Sequence, residues 1–329
     1  MAERASSPRP TLAKVALLAN VSKATASNAL SGGGRVSAET TARVRAAALS
    51  LGYRTDLNAR QLSIGRVPTI GMLAPSSVQQ MVRQRESLFW LRLNDGFIGR
   101  CSDLGCAVTL IMDTRAQLLI DSGIDVLVLL GKHDADVVEQ FDLPFGLPVL
   151  SGHDVGELKA NIAQHNPKEV AETVMSHLLD IGRRHASWMP GNDFDQIPRW
   201  ESELRNAAAN AGIEFSMQSH DDSRQSADAA ISRAVADGVD AIFGMFQYPE
   251  TILGVLRERN VTVPEQLALI FQSEGLIERA VSPSITTLSL CGFRSGELLA
   301  EHAVTVAQAV SHEQRPLPIE LTIRQSTTI

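Results

Sequence analysis

From Pro68 onward, short apolar runs typical of strands alternate with amphipathic stretches typical of helices. The predicted strands are Thr69–Leu73, Ala107–Met112, Val126–Leu130, Val149–Ser151, Ala186–Met189, Ala241–Met245 and Leu267–Phe271. The predicted helices cover residues 86–104, 168–182, 200–211, 225–237, 249–259 and 293–312. Such alternation builds parallel sheets with helices on both faces. Because the pattern fills residues 68–329, we expect two doubly wound α/β sheets rather than one.

Residues 1–66 differ from the rest of the chain in both pattern and charge. Helical spacing predicts three short helices within residues 11–52, an all-α head. Thr11, Ser22 and Ser37 are placed to cap these helices, because a hydroxyl can accept from the free amides of a first turn. The segment carries ten basic and three acidic side chains, although the whole chain has a net charge of −7. A basic head on an acidic body indicates a polyanionic partner at one end only.

The composition argues against membrane and secreted proteins. No apolar run approaches the roughly 18 residues that a membrane span needs. The N-terminus lacks the apolar stretch of a secretory signal. Cys101, Cys106 and Cys291 show neither metal-binding nor redox spacing, and their odd number argues against a disulfide framework. We therefore expect a cytoplasmic protein that does not associate with membranes.

The sequence lacks the common motifs of catalysis. It has no Gly-x-Ser-x-Gly elbow, no Walker loop, no Gly-x-Gly-x-x-Gly after a strand and no His-Glu-x-x-His. The eight histidines show no ligand spacing. We therefore expect no enzyme activity, no metal and no cofactor. Two alternatives stay open: a helix-turn-helix fused to a sugar-metabolising enzyme domain, and a regulator whose core is degenerate and independent of ligand.

An ordered set of anchors runs through TLAKVALLANVSKATASNALSGGGRVSAETTARVRAAALSLGY and the following NARQL. The anchors are Thr-Leu-x-x-Val-Ala, Val-Ser-x-x-Thr-x-Ser-x-x-Leu, Val-Ser-x-x-Thr, Val-x-x-Ala-x-x-x-Leu-Gly-Tyr and Ala-x-x-Leu. This segment closely resembles the DNA-binding head of the LacI/GalR family of bacterial repressors. The resemblance implies a helix-turn-helix domain at residues 1–54, a hinge at 55–67 and an effector-binding, dimerising core at 68–329.

The resemblance places the reading of DNA on the second helix of the head. Because that helix begins at a turn, its first exposed residues can enter the major groove. The implied base-reading residues are Lys23, Ala24 and Asn28, which suit guanine acceptors, a thymine methyl group and adenine respectively. The full set of expected DNA-binding residues is Thr11, Ser22, Lys23, Ala24, Thr25, Ser27, Asn28, Arg35, Asn58, Ala59 and Leu62. The alternative is a plain three-helix bundle with solvated polar residues.

The hinge implied by the resemblance is a short helix that folds on operator DNA. In this family a leucine from each subunit opens a central minor-groove step, and Leu62 holds that position, with Ala59 at the close contact. Alternatively, Leu62 packs on the core. The family usually has Pro-Asn before this helix, whereas this chain has Thr55-Asp56, which loosens the predicted start of the hinge.

The core resembles, more faintly, the type 1 periplasmic sugar-binding fold of the same family. The stretch LLDIGRRHASWMPG matches a family pattern, with Arg184 where histidine is usual. The resemblance implies an N-subdomain at about 68–162 and 287–315, and a C-subdomain at about 163–286 and 316–329. Ligands of such cores bind at the carboxyl ends of strands, between the subdomains.

The resemblance also suggests residues for an effector site. Arg199 fits a ligand-clamping arginine in the loop before helix 200–211, while Phe89 and Trp90 fit an aromatic wall or, alternatively, core positions. Family acidic residues are replaced by Phe246-Gln247-Tyr248 and by Gln272-Ser273. The loss suggests a less polar or an anionic ligand, or a degenerate pocket. The expected effector-binding residues are Ser76, Phe89, Trp90, His153, Asp154, Arg199, Phe246, Gln247 and Gln272.

Taken with the residue patterns, the resemblance predicts a sequence-specific transcriptional regulator, a repressor, that binds double-stranded operator DNA. Its effector is expected to be a sugar, a sugar acid or another small metabolite. No leucine heptad follows the last core strand, so we expect a homodimer rather than a tetramer joined by a tail. Induction and co-repression both remain open.

Overall fold

The structure is a computed structural model that describes most of the chain. The described residues are 11–31, 36–51, 53, 67–74, 88–111, 120, 123–130, 143, 146–151, 160–162, 165–191, 197–221, 223–246, 248–307 and 316–328. They divide into two compact units, one with the head and a first sheet, the other with a second sheet. Within the described ranges, no helix has the length and apolar character that crossing a membrane requires.

The head consists of three helices, as predicted: α1 (Leu12–Leu18), α2 (Lys23–Ser31) and α3 (Ala38–Leu51). A hydroxyl caps each of them. Thr11 Oγ1 accepts from the Lys14 amide at 3.4 Å, Ser22 Oγ from Thr25 at 3.0 Å, and Ser37 Oγ from Thr40 at 3.2 Å. Each bond satisfies an amide that the helix itself leaves free. The three predicted helix starts are therefore confirmed, while the predicted end at Gly52 lies outside the described residues.

Small side chains hold the head together. Its core is formed by Val15, Ala16, Ala19, Ala26, Ala29, Leu30, Val44, Ala47 and Ala48. Alanines at the contacts let the helices approach closely, and the Arg43 Nε–H adds a bond to the Ala19 carbonyl at 3.0 Å. One side of α2 is thereby buried, which leaves its other side to solvent.

The first sheet has five parallel strands. They are β1 (Thr69–Leu73), β2 (Ala107–Ile111), β3 (Val126–Leu129), β4 (Val149–Ser151) and β5 (Ala160–Ile162), in the order β2-β1-β3-β4-β5. Helix α4 (Leu88–Asp103) connects β1 to β2. Strand β3 is buried along its whole length, as expected for an inner parallel strand. The strand order reverses between β1 and β3, which makes this a doubly wound sheet.

The second sheet has six strands and repeats the same winding. Its elements are α5 (Pro167–Asp180), β6 (His185–Met189), α6 (Ile197–Ala211), β7 (Glu214–Met217), α7 (Arg224–Ala236), β8 (Ala241–Gly244), α8 (Pro249–Glu258), β9 (Ala268–Gln272), β10 (Thr286–Ser289), α9 (Gly292–Ala307) and β11 (Glu320–Thr322). The strand order is β11-β10-β9-β8-β6-β7, with β11 antiparallel. Side chains of α5 and α6 cover one face, and those of α7 and α8 the other. The predicted fold class is confirmed.

Some boundaries differ from the sequence-based ones. Strands β5, β7, β10 and β11 are not among the strands predicted from the apolar runs. Strand β7 lies at the sheet edge, and none of its side chains is fully buried. Residues 287 and 288, expected in the N-subdomain, pair with β9 in the second sheet. Helix α6 begins at Ile197, three residues before the predicted start, because Pro198 fits a first helical turn that has no need of its amide.

Candidate nucleic-acid interface and core site

The exposed face of α2 is set by the residues that its other face buries. Ala26, Ala29 and Leu30 lie in the head core. The residues exposed on the opposite side are Lys23, Ala24, Ser27 and Asn28. This face combines a cation, a methyl group and an amide near the amino end of a helix. There the partly positive helix dipole favours anions, so the face suits both phosphate and base edges.

Two expected DNA-binding residues, Ser22 and Thr25, also build the turn before α2. The Ser22 hydroxyl contacts the Thr25 hydroxyl at 2.8 Å and accepts from its amide. Thr11 has the equivalent capping role in α1. These hydroxyls fix the start of each helix relative to the exposed face. Four further expected residues, Arg35, Asn58, Ala59 and Leu62, lie outside the described residues, and the hinge helix therefore stays a prediction.

The expected effector residues are only partly described. Ser76, His153, Asp154 and Gln247 lie outside the described residues. Arg199 is exposed, and it lies in the first turn of α6 rather than in a loop before it. A guanidinium held on a helix is more constrained than one on a loop, and its planar fork suits a hydroxyl pair or a carboxylate. The role of Arg199 as a ligand clamp stays a prediction.

Phe89 and Trp90 lie in the first turn of α4, and both are half-buried. Their ring centroids are 5.2 Å apart with an interplanar angle of 71°, an edge-to-face pair. The His165 ring approaches Phe89 from another side, at 5.9 Å and 64°. Neither residue is fully buried, and their expected role as an aromatic wall for a ligand stays a prediction.

Sequence reasoning missed His165, which is held by several contacts. Its Nε2 lies 2.8 Å from the Leu290 carbonyl oxygen and 3.2 Å from Ser295 Oγ. Because a carbonyl only accepts, Nε2 carries the proton and donates. Burial lowers the pKa of His165 to about 4, an effect that the Leu290 bond partly offsets. His165 is therefore neutral near pH 7. No spacing in the sequence could have linked residues so far apart in the chain.

Phe246 is a core residue, which corrects the expectation that it adds aromatic surface to a pocket. Only 7% of its surface is exposed. Its ring stacks on His220 at 4.6 Å and meets Phe271 at 4.9 Å. The absence of a side chain at Gly244 leaves room for the Phe246 ring, because a Cβ at this position would lie 2.2 Å from Phe246 Cε2. Burial lowers the pKa of His220, so its neutral ring is a suitable stacking partner.

The carboxyl end of β9 carries two polar groups with different roles. Gln272 is half-buried, and no donor among the described residues reaches its buried Oε1. Glu274 was not predicted as a functional residue. Its Oε1 accepts from Ser289 Oγ at 2.9 Å and its Oε2 from the Gly292 amide at 3.1 Å. Glu274 thus fixes the start of α9, whereas a ligand contact of Gln272 stays a prediction.

Comparisons with known proteins match two parts of the chain. The profile of the family described as bacterial regulatory proteins, lacI family, matches residues 11–56, where the capped three-helix head lies. A periplasmic binding protein-like domain matches residues 175–327. Residues 11–56 thus match a lacI-family DNA-binding head, and residues 175–327 match a periplasmic binding protein-like domain. The chain is a DNA-binding transcriptional regulator, as predicted.

Curated relatives and solved structures agree with this assignment. The chain is 24% identical over 299 residues to the transcriptional regulator CelR of Thermobifida fusca, covering 85% of this chain and 87% of CelR. It is 27% identical over 197 residues to the maltose regulon regulatory protein MalI of Escherichia coli strain K12, covering 57% and 55% of the two chains.

Among solved structures, the fold of this chain is similar to a CelR–cellobiose complex, with a TM-score of 0.66, 23% identity and coverage of 97% and 100%. It is also similar to the lac repressor dimer bound to operator and the anti-inducer ONPF, with a TM-score of 0.67, 19% identity and coverage of 98% and 100%. The named relatives are regulators, not enzymes.

Proposed function

We propose that this regulator is a repressor that binds operator DNA as a homodimer, and that a small molecule bound in its core changes its operator affinity. The exposed face of α2 carries the proposal, because Lys23, Ala24 and Asn28 lie together on a helix whose start is fixed by Ser22. Contacts to phosphates position such a helix, and contacts to base edges give sequence specificity. We propose a head at residues 1–54, a hinge at 55–67 and a core beyond.

Selection from a random DNA pool tests the DNA-binding part of the proposal. The full-length chain is expected to enrich one sequence motif at physiological salt, where non-specific binding through phosphates is weak. A chain that retains DNA without enriching any motif would bind through charge alone, and the specific-repressor proposal would be wrong.

The proposed effector site uses the carboxyl ends of the parallel strands, where open α/β sheets bind ligands. Among the described residues it includes Phe89, Trp90, Arg199 and Gln272; Ser76, His153, Asp154 and Gln247 are proposed from sequence alone. The CelR relative is described in complex with cellobiose. We therefore propose a sugar as the first effector class to test, with sugar acids, nucleosides and small aromatics after it.

A thermal-shift screen on the full-length chain tests the effector proposal. A ligand that binds only the folded state raises the melting temperature by mass action. The second candidate is a regulator with a ligand-independent core, which the burial of Phe246 and the replacement of an acidic residue by Gln272 favour. If no compound of these classes raises the melting temperature, the ligand-independent core is the better description.

An exposed apolar surface supports dimerisation through the core. Leu276, Ile277 and Ile323 are 43%, 48% and 56% exposed. The segment with Leu276 and Ile277 lies beside the segment with Ile323, because their chain neighbours Gly275 and Arg324 are close: a Cβ on Gly275 would lie 2.9 Å from the Arg324 guanidinium. Contiguous exposed apolar side chains mark protein–protein contacts. A second copy of the chain is the occupant that we propose, since the lac repressor in the similar structure is a dimer on its operator.

A further inference from the structure

The position of the Phe89–Trp90 pair is set by unusually close contacts between α4 and α9. A Cβ added at Gly292 would lie 2.7 Å from the Phe89 carbonyl oxygen and 3.2 Å from Phe89 Cδ2. A Cβ at Gly296 would lie 2.1 Å from the Leu93 carbonyl oxygen. The backbones of the two helices therefore touch. Any shift at the start of α9 moves the Phe89 backbone with it.

The start of α9 is in turn held by three polar contacts. Glu274 accepts from the Gly292 amide, and Ser295 Oγ donates to the Leu290 carbonyl at 2.9 Å. His165 Nε2 donates to the same carbonyl. The His165 backbone also pairs with Leu317 in an isolated parallel bridge. His165 thus reaches the turn before α9 with one nitrogen while its ring contacts Phe89.

Among the residues that the structure describes, the His165 side chain connects these two sets of contacts. A ring edge against Phe89 restricts the rotation of that aromatic side chain, and edge-to-face pairs add stability beyond the buried area. Phe89 then restricts Trp90 by the same geometry. A leucine would keep the volume but lose both the bond to Leu290 and the ring edge. A glutamine would keep a donor and lose the ring.

We propose that His165 is a positioning residue for the effector: it holds Phe89 and Trp90 as a fixed aromatic wall for a ligand with a flat, weakly polar ring face. A sugar ring or an aromatic ring has such a face. A wall fixed before binding costs less ordering entropy than a mobile one. The inference rests on the proposed function, because it requires that a ligand uses this wall.

Tryptophan fluorescence tests the wall in the ligand-free, full-length chain. Trp188 and Trp200 are 0% and 3% exposed, so Trp90 is expected to dominate acrylamide quenching, and a Trp90→Phe variant confirms its share. His165→Leu is expected to increase the population of displaced, quenchable Trp90 rings by about 2- to 10-fold. This is the ratio that corresponds to the stabilisation by one edge-to-face aromatic pair. His165→Gln is expected to raise this population too, because the ring is lost.

The control is His185→Leu, which removes another partly buried histidine from the second sheet. It is expected to leave Trp90 quenching unchanged. If His165→Leu and His165→Gln lower the melting temperature but leave Trp90 quenching at the wild-type value, His165 is merely structural and the proposal is overturned. Should His165→Leu fail to fold, the glutamine variant alone gives the same decision.

Cellobiose titration then separates this inference from the proposed function. If wild type binds cellobiose, His165→Leu is expected to bind it about 2- to 10-fold more weakly, with operator affinity unchanged. Equal cellobiose affinity in both proteins overturns the positioning role. If wild type does not bind cellobiose, the choice of effector is wrong, and the quenching result still decides whether His165 fixes the wall.

Discussion

At the scale of single residues, neighbouring side chains of α2 have different roles: some pack in the head core, and others face solvent where DNA is expected to bind. Ala26 and Ala29 are buried, whereas Ala24 and Asn28 are exposed, although all four lie within six positions of one another. In the core, Glu274 and Gln272 are both half-buried and differ in their hydrogen bonds: Glu274 holds a helix start, whereas no donor among the described residues reaches Gln272 Oε1. On α2, exposure separates the expected DNA-reading side chains from those of the core.

Asn28→Ala should weaken binding to the selected operator by roughly 1–3 kcal/mol, because an asparagine amide can pair bidentately with adenine. Binding to scrambled DNA should change little. Competition binding at fixed salt measures both affinities. Ser27→Ala is the matched control on the same helix. Because a serine that contacts phosphates carries no sequence information, this change is expected to weaken binding to operator and to scrambled DNA equally. Equal losses on both DNAs for Asn28→Ala would remove this residue from the base-reading set.

His165 gives a prediction for the dependence of stability on pH. Its pKa falls from 6.5 to about 4 on folding, so the unfolded chain binds the proton more readily. The stability linked to His165 is therefore complete above about pH 6.5 and is lost as the pH falls toward 4, by at most about 3 kcal/mol. Denaturant unfolding should show a shallower loss over this range for His165→Gln. Lys168→Gln is the control; an identical slope in wild type and His165→Gln would contradict the prediction.

At the scale of helices and strands, the sequence predicts those features that depend on residues close together in the chain. The hydroxyls of Thr11, Ser22 and Ser37 mark helix starts because each cap spans only three residues. Contacts between distant residues leave no such signal. His165 meets Ser295 from 130 positions away. Phe246 follows a strand, as a pocket residue would, yet the space beside Gly244 lets its ring turn into the core.

Ser22→Ala should destabilise the start of α2, because the Thr25 amide loses its acceptor. The expected loss of unfolding free energy is about 0.5–2 kcal/mol. Thermal or denaturant unfolding of the full-length chain, followed in the head, measures it. Ser27→Ala, an exposed serine later in the same helix, should change stability by less than about 0.5 kcal/mol. A loss in Ser27→Ala as large as in Ser22→Ala would show that the cap is not the cause.

At the scale of the whole molecule, two copies of the chain are needed for the proposed activity. Replacing both Leu276 and Ile277 by glutamate should weaken self-association at least about tenfold, since each buried aliphatic side chain contributes about 1.5–3 kcal/mol. Sedimentation equilibrium measures the dissociation constant. Leu179→Glu, a change at a leucine that is 38% exposed on α5, is the control. A double variant that associates as tightly as wild type would place the dimer contact elsewhere.

The central claim is that a two-fold dimer reads DNA with the exposed face of α2. Hydroxyl-radical footprinting of the full-length chain on its selected operator tests it most directly, because the symmetry of the protected sites mirrors the symmetry of the protein. A two-fold dimer is expected to protect two mirrored half-sites about a central step, and both should be lost in the Leu276→Glu, Ile277→Glu variant at concentrations where it is monomeric. A single asymmetric half-site, protected equally by wild type and by that variant, would contradict it.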